Sequence, residues 1–144
     1  MRFLSLLDRR RQDDCDRMQS SGPVRYDSVL VVDSKAMPGV RFEVNRVSFS
    51  RRMELVRRIR EISQKAEFLQ AGMQLQDQIE ANLLSQEIDA IYLRWALVGI
   101  EGLMIDGEAA TVEHLIASGP EELTREILKT IKKLCGLDEA ERKN

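Results

Sequence analysis

The stretch from Leu75 to Leu103 constrains the fold of this chain more than any other. Read at helical spacing, Leu75, Ile79, Leu83, Ala90, Leu93 and Leu97 fall on one face. Ile88, Ile91, Trp95, Val98 and Ile100 widen that face until the helix is apolar over most of its girth. Apolar surface left in water forgoes about 25 cal/mol for each Å². Such a helix is therefore expected to be the central element of the fold, buried on several sides, or to meet a partner. Gly99 and Gly102 weaken its last turns, so it can end early.

Its partners are legible on both sides. Upstream, a helix is expected from Arg51 to Ala71, with Ser48 or Ser50 as N-cap and Glu54 placed to reach back. Leu55, Ile59, Ile62, Ala66 and Leu69 recur at spacings of 4, 3, 4 and 3, one apolar stripe. Gly72 is placed to take the left-handed conformation after the last turn. The arginines at the start of this helix oppose its macrodipole, a placement that a helix alone would not choose.

Downstream, Asp106-Gly107 within Met104–Ala109 reads as a tight turn. Thr111 then caps a short helix through Ile116, stopped by Gly119. Pro120 at a first helical position, with Glu121 and Glu122 in the first turn, opens another helix. Leu123, Ile127, Ile131 and Leu134 form its core stripe, Lys132 and Lys133 complement its C-terminal end, and Gly136 terminates it. Asp138 starts one further turn.

Ahead of the helices, Val29-Leu30-Val31-Val32 is a continuous, mostly β-branched run. Val40, Phe42 and Val44 alternate with Arg41, Glu43 and Asn45, the period of a half-buried strand. Met37-Pro38-Gly39 between them is turn chemistry, so the two runs form a β-hairpin. The expected fold class is mainly α, a helical domain with a small N-terminal β-hairpin (α+β). Residues 1–23, with Arg9-Arg10-Arg11 and a polar run to Ser20-Ser21-Gly22-Pro23, read as a flexible tail or an over-extended translation start. Residues 24–144 then form one domain, with the hairpin in 24–49 and helices in 50–144. The chain holds seven aromatics (Phe 4, Tyr 2, Trp 1), so aliphatic side chains build the core, as suits packed helices.

Charge is divided along the chain. Residues 1–65 hold 15 Lys/Arg against 9 Asp/Glu, a net of +6, and residues 66–144 hold 7 against 15, a net of −8. This asymmetry points to nucleic acid, an acidic partner or head-to-tail self-association. Cys15 and Cys135 stand far apart without metal-ligand spacing and read as free thiols in a reducing compartment. No apolar run approaches the roughly 20 residues that span a bilayer. The opening Phe3-Leu4-Ser5-Leu6-Leu7 is too short for the apolar region of a signal peptide, and the cluster Arg9-Arg10-Arg11 follows it. A cytoplasmic protein is expected, with no membrane partner.

Catalytic chemistry finds few players. His114 is the only histidine, and a lone histidine without an orienting partner is a filler before it is a base. The sequence has no zinc-type spacing and no glycine-rich phosphate loop. Carboxylate pairs such as Glu87/Asp89 and Glu121/Glu122 fit solvated helix faces and N-terminal dipole placement. The expectation is therefore no enzyme, and no catalytic, metal or cofactor residue.

Two features speak of partners. The run Arg51-Arg52, Arg57-Arg58 and Arg60 can serve phosphates, but it lacks interleaved aromatics. A solvated face that meets the acidic half, within one molecule or between copies, is the nearer reading. Trp95, within Tyr92–Leu97, reads as a core tryptophan that an interface can extend. Arg51, Arg52, Arg58, Tyr92 and Trp95 are the candidate partner-binding residues.

Three stretches carry a family resemblance. They are Pro38–Val44 leading to Ser48-Phe49-Ser50-Arg51-Arg52, then Ile100–Thr111 with its Ile-Asp-Gly-Glu-Ala-Ala-Thr turn, then Ser118–Leu123 with Glu126-Ile127. Together they resemble the tail assembly chaperones of long-tailed bacteriophages and prophages, over residues 38–144. The resemblance implies a protein that coats the hydrophobic, helical tape measure protein before the tail tube polymerises around it. Other tail proteins and further copies of itself are the implied partners, in the host cytoplasm and absent from the finished virion. It implies no catalytic residue and no cofactor.

Such chaperones are often made in two lengths by −1 ribosomal frameshifting. Arg142-Lys143-Asn144 can be encoded through A AAA AAC, a sequence on which ribosomes slip. The alternatives are a small basic-faced nucleic-acid-associated regulator, with nucleic acid the less favoured partner, and a structural tail or connector subunit.

Overall fold

The computed structural model describes residues 22–136; the tail before them, Cys15, the turn at Asp138 and the Arg142–Asn144 ending lie outside the described residues. Strand β1 (Val29–Asp33) pairs antiparallel with β2 (Arg41–Asn45), from Val29 opposite Asn45 to Asp33 opposite Arg41. The alternation in β2 does what its period predicts: Phe42 and Val44 are fully buried, and Arg41 points to solvent. The turn closes through the Val40 amide donating to the Met37 carbonyl at 3.1 Å, with Gly39 at φ 92°.

Helix α1 (Phe49–Gln70) starts at Ser48, whose hydroxyl accepts from the Arg51 amide at 3.3 Å. Its end differs from expectation. Gly72 is not left-handed; the helix closes through the Ala71 and Gly72 amides, which donate to the Glu67 and Leu69 carbonyls. A Cβ there would lie 2.5 Å from Asp77 Oδ2 in the next helix, the end of a side chain that can swing aside. That helix, α2 (Leu75–Ala96), folds back on α1. Leu55 and Ala66 of α1 and Ala81 of α2 are buried, as the stripe on α1 predicts.

Two expectations about the long apolar stretch are corrected. First, α2 stops at Ala96, and the chain runs on without a loop as β3 (Leu97–Glu101), antiparallel to β2. The hairpin is thus part of a three-stranded sheet of order β1-β2-β3, its third strand drawn from the segment assigned to helix. Val98 and Ile100 are β-branched, and Gly99 and Gly102 disfavour helix, so the free edge of β2 captures the segment. A bulge sits where Val44 pairs with Leu97 and Glu43 with Gly99, leaving Val98 as the extra residue. Second, α2 is not buried all round. Leu75, Ile79 and Leu83 remain 74%, 54% and 56% exposed.

After β3, strands β4 (Met104–Ile105) and β5 (Glu108–Ala109) form a short hairpin through Asp106 at φ 51° and Gly107 at φ 83°. Helix α3 (Val112–Ser118) is capped by Thr111, as expected, and extends past Ile116. Helix α4 (Glu121–Leu134) follows, with Pro120 as its N-cap rather than its first helical residue. Gly136 at φ 71° closes it by donating its amide to the Lys133 carbonyl. The core joins Phe42 and Val44 to Tyr92, Leu93 and Trp95 of α2, Leu115 of α3, and Leu123, Ile127 and Ile131 of α4. The architecture is mainly α within an α+β fold.

The two glycines of β3 and its turn make a contrast. Gly102 has φ 79°, and a Cβ on it would lie 2.4 Å from the Gly39 carbonyl oxygen, whereas a Cβ on Gly99 meets nothing within 4 Å. Gly102→Ala is expected to destabilise the fold by about 1–3 kcal/mol, and Gly99→Ala to stay within about 1 kcal/mol of the parent. Urea unfolding of both variants checks this; equal effects would show that the close approach at Gly102 is unimportant.

Candidate functional site

The first turn of α1 explains the arginines that its own dipole disfavours. The Arg51 guanidinium donates to the Trp95 carbonyl in the last turn of α2, and its carbon lies 4.8 Å from the centroid of the Trp95 ring. Arg52 Nη1 donates to the Cys135 carbonyl, the C-cap of α4, at 2.8 Å. Carbonyls at helix C-termini carry the negative end of the macrodipole, so two other helices gain what α1 loses. Arg58 pairs with Glu54 one turn back in α1. The anticipated meeting of the basic run with the acidic half therefore takes another form: main-chain carbonyls, not carboxylates, receive Arg51 and Arg52.

The five candidate partner-binding residues thus separate. Arg51 and Trp95 touch each other at the root of the α1–α2 hairpin, and Arg52 reaches α4 beside them. Arg58 stands apart on α1. Tyr92 and Trp95 are only 4% and 5% exposed, which makes them core residues. Lys132 of α4 lies 5.9 Å from the Tyr92 ring centroid and pairs with Asp89 at 2.8 Å.

The uncovered surface of the hairpin lies elsewhere. Phe49, Met53 and Val56 of α1 are exposed at spacings of 4 and 3, and Leu75, Ile79 and Leu83 of α2 at spacings of 4. The α1 stripe was visible as a helical period in the sequence, though on the face away from the stronger one. Beside Leu83 runs an open groove of about 600 Å³, floored by Ile62, Ala90 and Ile91 and edged by Glu87 and Arg94. Charge is segregated between the two helices. Helix α1 carries six Lys/Arg against three Asp/Glu, a net of +3, and α2 carries one against four, a net of −3. One ion pair, Lys65 to Glu80 at 3.5 Å, joins α1 to α2.

A second polar junction involves Glu126 of α4, which sequence reasoning reached only through the family resemblance. Its carboxylate accepts from the Ser34 hydroxyl at 2.5 Å and from the Lys35 and Ala36 amides at 2.7 and 3.3 Å. The Ser34 hydroxyl in turn accepts from the Met37 amide at 3.0 Å. The loop between β1 and β2 is thereby tied to α4. Burial alone would push the Glu126 carboxyl up, but the Ser34 hydroxyl, the two amides and the Lys35 charge together hold it below the usual carboxylate range.

Other groups are less engaged in chemistry. Burial pushes the Cys135 thiol up, and the nearby Arg52 charge offsets this only in part, so the free thiol is a poor nucleophile. His114 Nε2 lies 3.6 Å from a Glu108 carboxylate oxygen. On the α2 surface Arg94 binds Glu113 through bonds of 2.8 and 3.3 Å, which hold the Glu113 carboxyl below its ordinary range. Among the described residues no group of three or more His, Cys, Asp and Glu is placed to hold a metal ion, and no helix is long and apolar enough to cross a membrane. No protein-family model, curated protein or solved structure matches this chain.

Two expected outcomes follow from the junctions. Arg52→Ala removes a charge-assisted bond to a helix end and is expected to lower stability by about 1–2 kcal/mol. A neutral exposed control, Arg57→Ala, should change it by no more than about 0.5 kcal/mol; comparable losses in both would deny the capping role. Glu126→Gln should lower stability most at neutral pH. The folded-state carboxyl titrates below its unfolded value, so its contribution is present above the unfolded pKa, about 4.3. That contribution is lost as pH falls through the lower folded value. The parent and the Gln variant should therefore converge in acid; a difference that is constant with pH would show that the charge on Glu126 is irrelevant.

Proposed function

We propose that this chain is a tail assembly chaperone that holds the apolar helical tape measure protein of a phage or prophage before the tail tube polymerises around it. The observation that carries the reading is the uncovered stripe of Leu75, Ile79 and Leu83 with the groove beside it. From Leu75 to Arg94 the α2 face extends about 28 Å at 1.5 Å per residue, room for five turns of a bound helix. Each large aliphatic side chain covered there contributes about 1.5–3 kcal/mol. Helix-in-groove docking relies on apolar residues that recur about once per turn, as Leu75, Ile79 and Leu83 do.

On this reading the protein acts through surfaces rather than catalysis. It works in the host cytoplasm alongside other tail proteins and copies of itself, and it leaves before the virion is finished. The family resemblance over residues 38–144 supports the choice of partner, and the exposed apolar stripe supports the mode of binding. The nucleic-acid reading loses ground because Arg51 and Arg52 already hold main-chain carbonyls.

The test is a pull-down of tagged full-length chain from cells expressing the neighbouring genes, washed at high salt, with bound proteins identified by mass spectrometry. A long, helix-rich tape measure protein is expected. Its recovery should drop about tenfold or more with Ile79→Asp and Leu83→Asp together. Recovery of nucleic acid that salt removes, without such a protein, would overturn the proposal. Finding the chain in finished particles would replace it with a structural tail subunit.

A further inference from the structure

We infer that copies of this chain associate by seating the outer face of α1 from one copy on the outer face of α2 from another. The two faces read alike until their last position. On α1, Phe49, Met53 and Val56 are followed by Arg60; on α2, Leu75, Ile79 and Leu83 are followed by Glu87. Laid parallel, Phe49 stands opposite Leu75, Met53 opposite Ile79, Val56 opposite Leu83 and Arg60 opposite Glu87, at offsets of 26 and 27 residues. Three apolar pairs then lie beside one pair of opposite charges.

The charge pattern selects a second copy as the occupant. Arg60 and Glu87 are exposed, and neither has an ion-pair partner among the described residues. Laid parallel, α1 on α1 sets Arg60 against Arg60 and α2 on α2 sets Glu87 against Glu87, whereas α1 on α2 sets opposite charges side by side. One chain supplies both signs and both apolar stripes, so no other molecule is required. The contact joins unlike surfaces, which either close reciprocally or propagate.

This association does not rest on the tape measure reading. It uses the same α2 face, so a second copy and a captured helix exclude each other there. The apolar stripe is thereby covered while no client is present.

Sedimentation velocity of the full chain over a concentration series tests the inference. The parent is expected to associate. Arg60→Glu and Glu87→Arg should each weaken association by about tenfold or more, through like-charge contact. An equimolar mixture of the two variants should regain it, as should both substitutions in one chain. Circular dichroism confirms that each exposed substitution leaves the helices intact. A parent that stays monomeric throughout, variants that associate like the parent, or a mixture that does not recover would each overturn the inference. A monomeric parent would overturn this inference and leave recovery of the tape measure protein as expected, so the two readings fail separately.

Discussion

Arg51 and Arg52 fasten the root of the α1–α2 hairpin to everything else. Their guanidinium groups reach the last turn of α2 and the C-cap of α4, where main-chain carbonyls lack helical partners. Both positions lie in the first turn of α1, which fixes the start of one helix against the ends of two others. Leu55 and Trp95 share one core with Phe42, Val44 and Ile127, and farther along the hairpin Ala66 and Ala81 are buried. A residue pattern that is poor for one isolated helix is sound for three helices considered together.

What was legible in the sequence was mostly local. The alternation around Phe42, the caps at Ser48 and Thr111, the Asp106-Gly107 turn, the stripe of α4 and its stop at Gly136 all depend on neighbours within a few residues. What was missed depends on distant chain. A continuous apolar run is equally a buried helix or a buried strand until its neighbours are known, and β2 is 52 residues before the end of α2, from Val44 to Ala96. The same limit applies to Glu126, whose partners lie in the loop after β1.

The candidate surface was half legible for a related reason. Periodicity places Leu75, Ile79 and Leu83 on one side of a helix, but burial depends on how many elements arrive to cover it. Only the C-terminal half of α2 finds enough neighbours, which is why Tyr92 and Trp95 are core while the stripe nearer the hairpin tip is not. The aromatic residues singled out in the sequence, Tyr92 and Trp95, lie in the covered part of the helix.

The absence of a loop between α2 and β3 has a mechanical side. At Leu97 the backbone passes from helical to extended geometry within one residue, φ −76° and ψ 119°, and pairs at once with Val44 at the centre of the sheet. The hairpin is accordingly a lever welded to the middle strand rather than an arm on a hinge. Any pull or twist applied near Met73 travels along α2 into the ladder between β2 and β3, where it meets main-chain hydrogen bonds loaded side by side. The bulge at Val98 interrupts that ladder one residue after the helix gives way to the strand.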